Sequence, residues 1–215
     1  MSSTTAAEPR APKLRADATR NRERIIAAAR EVFVEVGADA PLDEIARRAG
    51  IGNATLYRNF PNRDALIREV ALFVKARILA RAETAMAEHP DAFDALQSFV
   101  HGAADEQLGA LCPVISGRFD HNDPDLAEIR ERLVVIVTEL MERAQRSGGL
   151  RPDVAPGDIF VAISQLTRPL PGTACLDLSG FVHRHLQLFL DGLRAPARST
   201  LPGRALTFED FQQQH

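Results

Sequence analysis

LDEIARRAGIGNATLYRNF, residues 42–60, is the stretch that decides how this chain folds. Leu42, Ile45, Ala46 and Ala49 repeat at helical spacing, Gly50 breaks the period, and a second apolar set follows at Ile51, Leu56 and Phe60. The pattern predicts helix, tight turn, helix. Neither segment is long enough to bury an apolar face alone, so a third helix must close the core. It lies upstream between Ala18 and Val36, where Ile25, Ile26, Ala29, Val32, Phe33 and Val36 form one stripe. Three helices with a turn near Gly50 make a helix-turn-helix, the arrangement that lays its second helix in the major groove of DNA.

With Leu56 and Phe60 turned inward, the outward residues of the second helix, Asn53 to Asn59, are Asn53, Ala54, Thr55, Tyr57, Arg58 and Asn59. Asn, Arg and Thr side chains pair with base edges or phosphates, and the phenol of Tyr57 can donate to a phosphate oxygen. The double-stranded DNA operator is therefore the first expected partner.

The run Ile45, Ala46, Ala49, Gly50, Ile51, Thr55, Leu56, Tyr57, Phe60, followed by Asn62, Arg63, Asp64 and Leu66, resembles the DNA-binding domain of the TetR family of bacterial transcriptional regulators over about Thr19 to Val70. The resemblance implies that Asn53, Ala54, Arg58 and Asn59 face the groove while Thr55, Tyr57 and Arg63 hold the backbone. Arg63 stands where the family usually has Lys, and either cation can meet a phosphate. The chain departs from the family pattern in two places. Pro41 and Leu42 replace a capping Ser or Thr, and Gly52 replaces the capping Ser before the second helix, which puts two phosphate contacts in doubt but leaves the helices intact.

The 215 residues suffice for a small head and a larger body. Net charge is −3, unevenly placed: residues 1–62 carry ten Arg or Lys against eight Asp or Glu, and the remainder sixteen against twenty-one. A slightly basic head on an acidic body suits a protein that presents one end to DNA. Cys112 and Cys175 show no metal or redox spacing, and with no apolar signal segment they point to a reducing cytosol and a soluble, cytoplasmic protein. No apolar run approaches the length of a membrane span, so no membrane partner is expected.

Residues 1–17 read as a disordered tail, in which Arg10, Lys13 and Arg15 could add loose phosphate contacts, and residues 18–62 as the DNA-binding domain, with Arg20, Arg22 and Arg24 placed to approach the backbone. Residues 63–194 read as six helices of a ligand-binding and dimerisation domain, and 195–215 as a C-terminal tail. The predicted helices are Arg63 to Glu88, a rod of about 39 Å joining head to body; Ala92 to Leu111, ended by Pro113; Val114 to Phe119; Asp125 to Arg146; Pro156 to Leu166; and Asp177 to Leu193, after an irregular RPLPGT connection at 168–173. The fold class is all-α.

Ile159, Phe160, Ile163 and Leu166 in one of the last helices and Phe181, Leu186, Phe189, Leu190 and Leu193 in the other exceed what one side of a small body consumes, which points to a four-helix bundle between two chains, a homodimer. Phe73, Phe93, Leu96, Phe99, Val100, Leu108, Phe119, Leu133, Ile136 and Val137 are candidates to line an apolar pocket, although a packed core would use the same residues. The resemblance implies a small-molecule inducer there that moves the heads apart. The expected function is a repressor released from a palindromic operator by a small, mostly apolar ligand; the alternative is a repressor without a small-molecule ligand, constitutive or controlled by a protein partner. His101 with Asp105 and His121 with Asp123 lack a third ligand at defined spacing, so no metal and no cofactor is expected. An enzyme is not expected either, since no G-x-S-x-G, G-x-x-x-x-G-K-[ST] or H-E-x-x-H occurs.

Overall fold

The structure, a computed structural model, describes residues 10–115, 123–169 and 179–212. Those residues form ten helices and no strand, and the chain divides into two compact units, one up to Val70 and one from Ala71. Each unit has its own buried core.

The first unit holds α1 (Arg10–Val36), α2 (Leu42–Arg48), α3 (Asn53–Asn59) and the opening turns of α4 (Arg63–Glu88). Ile25, Ala29, Val32, Phe33, Ile45, Ala46, Leu56 and Phe60 are joined inside by Leu66, Ile67 and Val70, none more than 1 % exposed. That is why the division falls at Val70 and not after residue 62: the start of α4 supplies a fourth wall. Val36, expected in the apolar stripe, is 58 % exposed at the end of α1. The helix α1 begins at Arg10, inside the stretch read as a tail; Pro12 falls in its first turn, where a missing N–H breaks no helical bond. Pro41 and Gly52 are extended N-caps of α2 and α3 that offer no side-chain cap. Between those helices Gly50 has φ +66°, Gly50 N–H donates to Arg47 O and Ile51 N–H to Ala46 O, a left-handed helix stop that glycine makes without strain. A Cβ there would also lie 2.6 Å from the Arg24 guanidinium.

The second unit holds the rest of α4 with α5 (Ala92–Ala104), α6 (Leu108–Ile115), α7 (Pro124–Arg146), α8 (Pro156–Leu166), α9 (Ser179–Leu193) and α10 (Phe208–Gln212). Its central helix is α5, packed against α7, α8 and α9. The loop carboxylates of Asp91 and Asp123 cap α5 and α7, each accepting from two backbone N–H groups. Arg143 of α7 donates to the carbonyls of His89 and Pro90 at 3.0 and 3.1 Å and so ties α7 to the end of α4.

Three features of this unit differ from the expected helices. The helix expected over Ala92 to Leu111 stops at Ala104, and Gln107 adopts φ 54°. The break turns Glu106 inward, fully buried, where it accepts from Arg77 Nε at 2.8 Å with Arg81 at 3.8 Å. Pro113, expected as a terminator, lies inside α6, and the expected Val114 to Phe119 helix is described only to Ile115. The helix α6 lies so close to α8 that a Cβ on Gly109 would sit 2.0 Å from the Ser164 carbonyl, while Gly109 N–H donates to Thr167 Oγ1 at 2.8 Å. Finally, the expected C-terminal tail contains α10. Phe160 of α8 packs edge-on against Phe208 and Phe211, Leu206 O accepts from Gly157 N–H at 2.8 Å, and the buried Arg151 donates to Asp153 and to the carbonyl of Ser199. Residues 170–178, covering most of the RPLPGT connection and the expected start of the last long helix, lie outside the described residues.

Candidate nucleic-acid interface

The apolar residues of α3 fix which side of it faces out. Leu56 is buried, and Asn53, Ala54, Tyr57 and Arg58 are exposed on the opposite side, with Tyr57 at 50 %. Residues 54, 57 and 58 are three and four apart and share one helical face. Arg58 has no hydrogen-bond or ion-pair partner among the described residues, which leaves all its donors for a base or a phosphate.

The remaining three expected contacts are drawn toward the protein. Thr55 and Asn59 are half-buried, and Asn59 Nδ2 donates back to Thr55 O at 2.8 Å. Arg63 is half-buried as well, and its Nη1 donates to Ala38 O at 2.8 Å and Ala40 O at 2.6 Å. Those carbonyls lie in the loop between α1 and α2, where no helix satisfies them, and a guanidinium can bridge both. Arg63 thus braces the head.

Most other cations of this unit are also paired. Arg47 donates to both carboxylate oxygens of Glu44, and Arg48 to both of Glu35; these bonds hold the Glu44 and Glu35 carboxyls below the usual range. Arg22 pairs with Glu69 at 2.7 Å while stacking on Phe60, Arg20 pairs with Asp17, and Arg24 reaches the Gly50 carbonyl. Asp43 lies beside the exposed face of α3 and accepts from Asn53 Nδ2 at 2.7 Å. Sequence reasoning passed over Asp43, and its signal was positional only, an acid in the first turn of α2 ten residues before Asn53.

In the second unit the expected pocket residues separate. Phe93, Leu96, Phe99, Val100 and Val137 are buried, Phe73, Leu108, Leu133 and Ile136 are half-buried, and Phe119 lies outside the described residues. The Arg194 guanidinium covers the Phe93 ring at 4.2 Å, and that of Arg77 covers Phe73 at 5.5 Å. An open groove of about 390 Å³ between α4 and α7 takes only Ile136 from the expected set and is lined besides by Leu79, Val135, Arg132 and three glutamates. A second cavity, of about 260 Å³, lies under the C-terminal segment at Asp153, Asp158 and Arg204.

The expected dimer residues separate too. Ile159, Ile163, Leu186, Leu190 and Leu193 are at most 5 % exposed within the single chain, Phe160 is covered by α10, and Leu166 and Phe189 are half-buried. Of that set only Phe181 is open, at 52 %, and it shares a face of α9 with His185, Leu188 and Gly192, where Leu188 is 60 % exposed. Sequence periodicity could not divide one apolar helix into its inner and outer stripes.

His101 and Asp105 acquire a third neighbour across the fold. His183 Nδ1 lies 3.0 Å from His101 Nδ1, and His183 Nε2 lies 3.1 Å from Asp105. The groups meet through opposite ring atoms, and among the described residues no three His, Cys, Asp or Glu side chains are arranged around one metal position. Burial pushes the Cys112 thiol up and the Lys75 ammonium down, the reverse of an activated thiolate. His121 and Cys175 lie outside the described residues. No helix among the described residues is long and apolar enough to cross a membrane.

Comparison with known proteins places this geometry in company. The profile of bacterial regulatory proteins of the tetR family matches residues 25–70, and that of the SbtR-like transcriptional regulator C-terminal domain matches residues 91–195. The crystal structure of the TetR transcriptional regulator SCO0520 from Streptomyces coelicolor is 34 % identical, covers 82 % of this chain and 99 % of its own, and superposes with a TM-score of 0.61. The HTH-type transcriptional repressor BepR of Brucella suis is 26 % identical over 86 % of this chain and 97 % of its own length. The fold is shared with LfrR of Mycobacterium smegmatis, solved in complex with proflavine, at 23 % identity, TM-score 0.62, and coverage of 85 % and 98 % of the two chains.

Proposed function

The chain belongs to the TetR family and is a DNA-binding transcriptional regulator, not an enzyme; we propose that it is a repressor that binds a palindromic operator as a homodimer. The observation that carries the reading is the outer face of α3, where Asn53, Ala54, Tyr57 and Arg58 are exposed over a fully buried Leu56. Arg58 reads a base edge, and Tyr57 donates to a phosphate. The repressor sign is taken from the name of BepR, the similar repressor of Brucella suis.

Dimerisation is assigned to the outer stripe of α9, Phe181, His185, Leu188 and Gly192, with Val161 of α8, which is 37 % exposed. Exposed Phe181 and Leu188 in a stripe that ends at a glycine let two helices approach closely, and two-fold pairing gives two reading helices for two half-sites. A charge in that stripe, Leu188→Glu, is expected to shift the sedimenting species from dimer to monomer while the helical signal is kept.

Release from DNA by a small, mostly apolar ligand in the second unit is the inducer reading. LfrR, of the same fold, was solved with proflavine bound. The second reading, a repressor with no small-molecule ligand, is favoured by one specific observation: Phe93, Leu96, Phe99, Val100 and Val137 are all at most 5 % exposed. Binding to DNA from upstream of the chain's own gene, with Tyr57→Ala and Arg58→Ala beside the parent, tests the DNA reading. Saturable binding weakened by both, with base preference lost chiefly in Arg58→Ala, supports it; equal behaviour of all three proteins on a genuine operator rejects it. Operator release by an apolar compound library then separates the two readings of the second unit.

A further inference from the structure

The side chain of Asn53 is not free to choose which atom it shows to DNA. Its Nδ2 donates to Asp43 Oδ1 at 2.7 Å, and a carboxylate only accepts, so the nitrogen end of the amide is fixed toward α2. The amide oxygen is then the end turned away from Asp43. The other carboxylate oxygen of Asp43 has no partner among the described residues, and both residues are exposed. One N–H of Asn53 stays available beside its oxygen, but its nitrogen lies 2.7 Å from the carboxylate, so the first residue of the reading helix and the first turn of its neighbour present two acceptors, Asn53 Oδ1 and the second Asp43 oxygen, around a negative charge.

Base edges in the major groove respond differently to such a pair. Guanine shows N7 and O6, both acceptors; thymine shows O4 and a methyl group; adenine pairs its N6 amine with the acceptor N7. Cytosine alone offers a donor, N4, with no acceptor beside it on its own edge. An unpaired asparagine forks onto adenine through one donor and one acceptor; here the donor nitrogen sits 2.7 Å from a carboxylate whose charge opposes the lone pair of adenine N7. Phosphate oxygens are repelled for the same reason.

We propose that Asp43 and Asn53 together form a two-acceptor reader that selects cytosine, through its N4 amine, at one position of each operator half-site. The proposal rests on α3 being the reading helix and adds to it a residue outside α3. Asp43 acts partly by contact and partly by orienting Asn53.

The test uses the full-length protein in selection from a duplex library with a randomised half-site, followed by affinity measurements on the selected sequence and its single base-pair variants. The parent, Asp43→Ala, Asn53→Ala and Tyr57→Ala are compared, and thermal melting checks that each is folded. For the parent, one symmetric C·G position is expected to lose about 10- to 100-fold when changed. In Asp43→Ala that penalty is expected to fall below about threefold, with adenine newly tolerated, while affinity for unrelated DNA rises because a repelling charge is gone. Asn53→Ala relaxes the same position without the rise. The inference is overturned if Asp43→Ala keeps the parent's preference at every position or loses affinity uniformly across sequences. In that case Tyr57→Ala, weakened on all sequences, still upholds α3 as the reading helix. A library that yields no enriched sequence for the parent overturns both.

Discussion

The two units of this chain use the same apolar periodicity to opposite ends. In the first, the stripe of Leu56 and Phe60 is spent on the core, and what remains outside, Asn53, Ala54, Tyr57 and Arg58, is the surface proposed to read DNA. In the second, Phe93, Leu96, Val100 and Val137 are spent on the core in the same way, and a pocket would have to be built from those very residues. A surface site is defined by side chains that the core does not need, so it can be read from a helical pattern. A cavity is defined by volume that the core fails to fill, and no periodicity encodes that.

The largest effect that would break this contrast is expected at Leu96. If the second unit is packed as described, Leu96→Ala costs about 2–5 kcal/mol in denaturant unfolding, because truncation opens a new void. A cost well below about 1 kcal/mol would mean that Leu96 already borders empty space, and the second unit would then hold a pocket after all. Next comes Arg58→Ala, expected to cost about 1–3 kcal/mol of operator discrimination with no change in melting temperature. Loss of stability there would place Arg58 in the fold and not on the reading face.

Smaller still is the effect at Arg63. Arg63→Lys keeps the charge but ends on a shorter stem without the fixed N–H directions of the guanidinium nitrogen that meets both the Ala38 and Ala40 carbonyls, and is expected to cost about 1 kcal/mol of folding stability while leaving the salt dependence of DNA binding unchanged. A shallower salt dependence without a stability change would support the phosphate role that the resemblance implied. The smallest effect concerns the C-terminal segment. Hydrogen bonds from Arg151 hold the Asp153 carboxyl below its ordinary 3.8. A depressed carboxyl stabilises the folded state above that value and loses the contribution as pH falls through the folded one. The melting advantage of the parent over Asp153→Asn is therefore expected to persist above pH 3.8 and to vanish in stronger acid; an advantage that grows on acidification would remove the ion pair from the account.

Those differences in scale match what could be read beforehand. The bounds of α3 and α4 followed from periodicity and from the turn at Gly50, because every signal there is local. The break before Gln107 was not legible: A-A-D-E-Q-L is a sound helical sequence, and only Arg77 and Arg81, some 25 to 29 positions earlier, draw Glu106 inward. The inward turn of Arg63 depends equally on carbonyls 23 and 25 positions away. Two phenylalanines in a polar tail, Phe208 and Phe211, were a usable sign that α10 docks, and Phe160, assigned to a partner chain, was their counterpart within the same chain.

The pairing of arginines in the first unit bears on how such a protein finds its target. Arg47, Arg48, Arg22 and Arg63 each have partners within the protein, and Arg58 stands exposed on the outer face of α3. Non-specific attraction to DNA scales with the phosphates a protein can neutralise. If the first unit reads DNA as proposed, a head that keeps most of its described arginines paired would linger less on unrelated chromosome, so fewer copies would be held idle and a small cellular pool would suffice to find one operator.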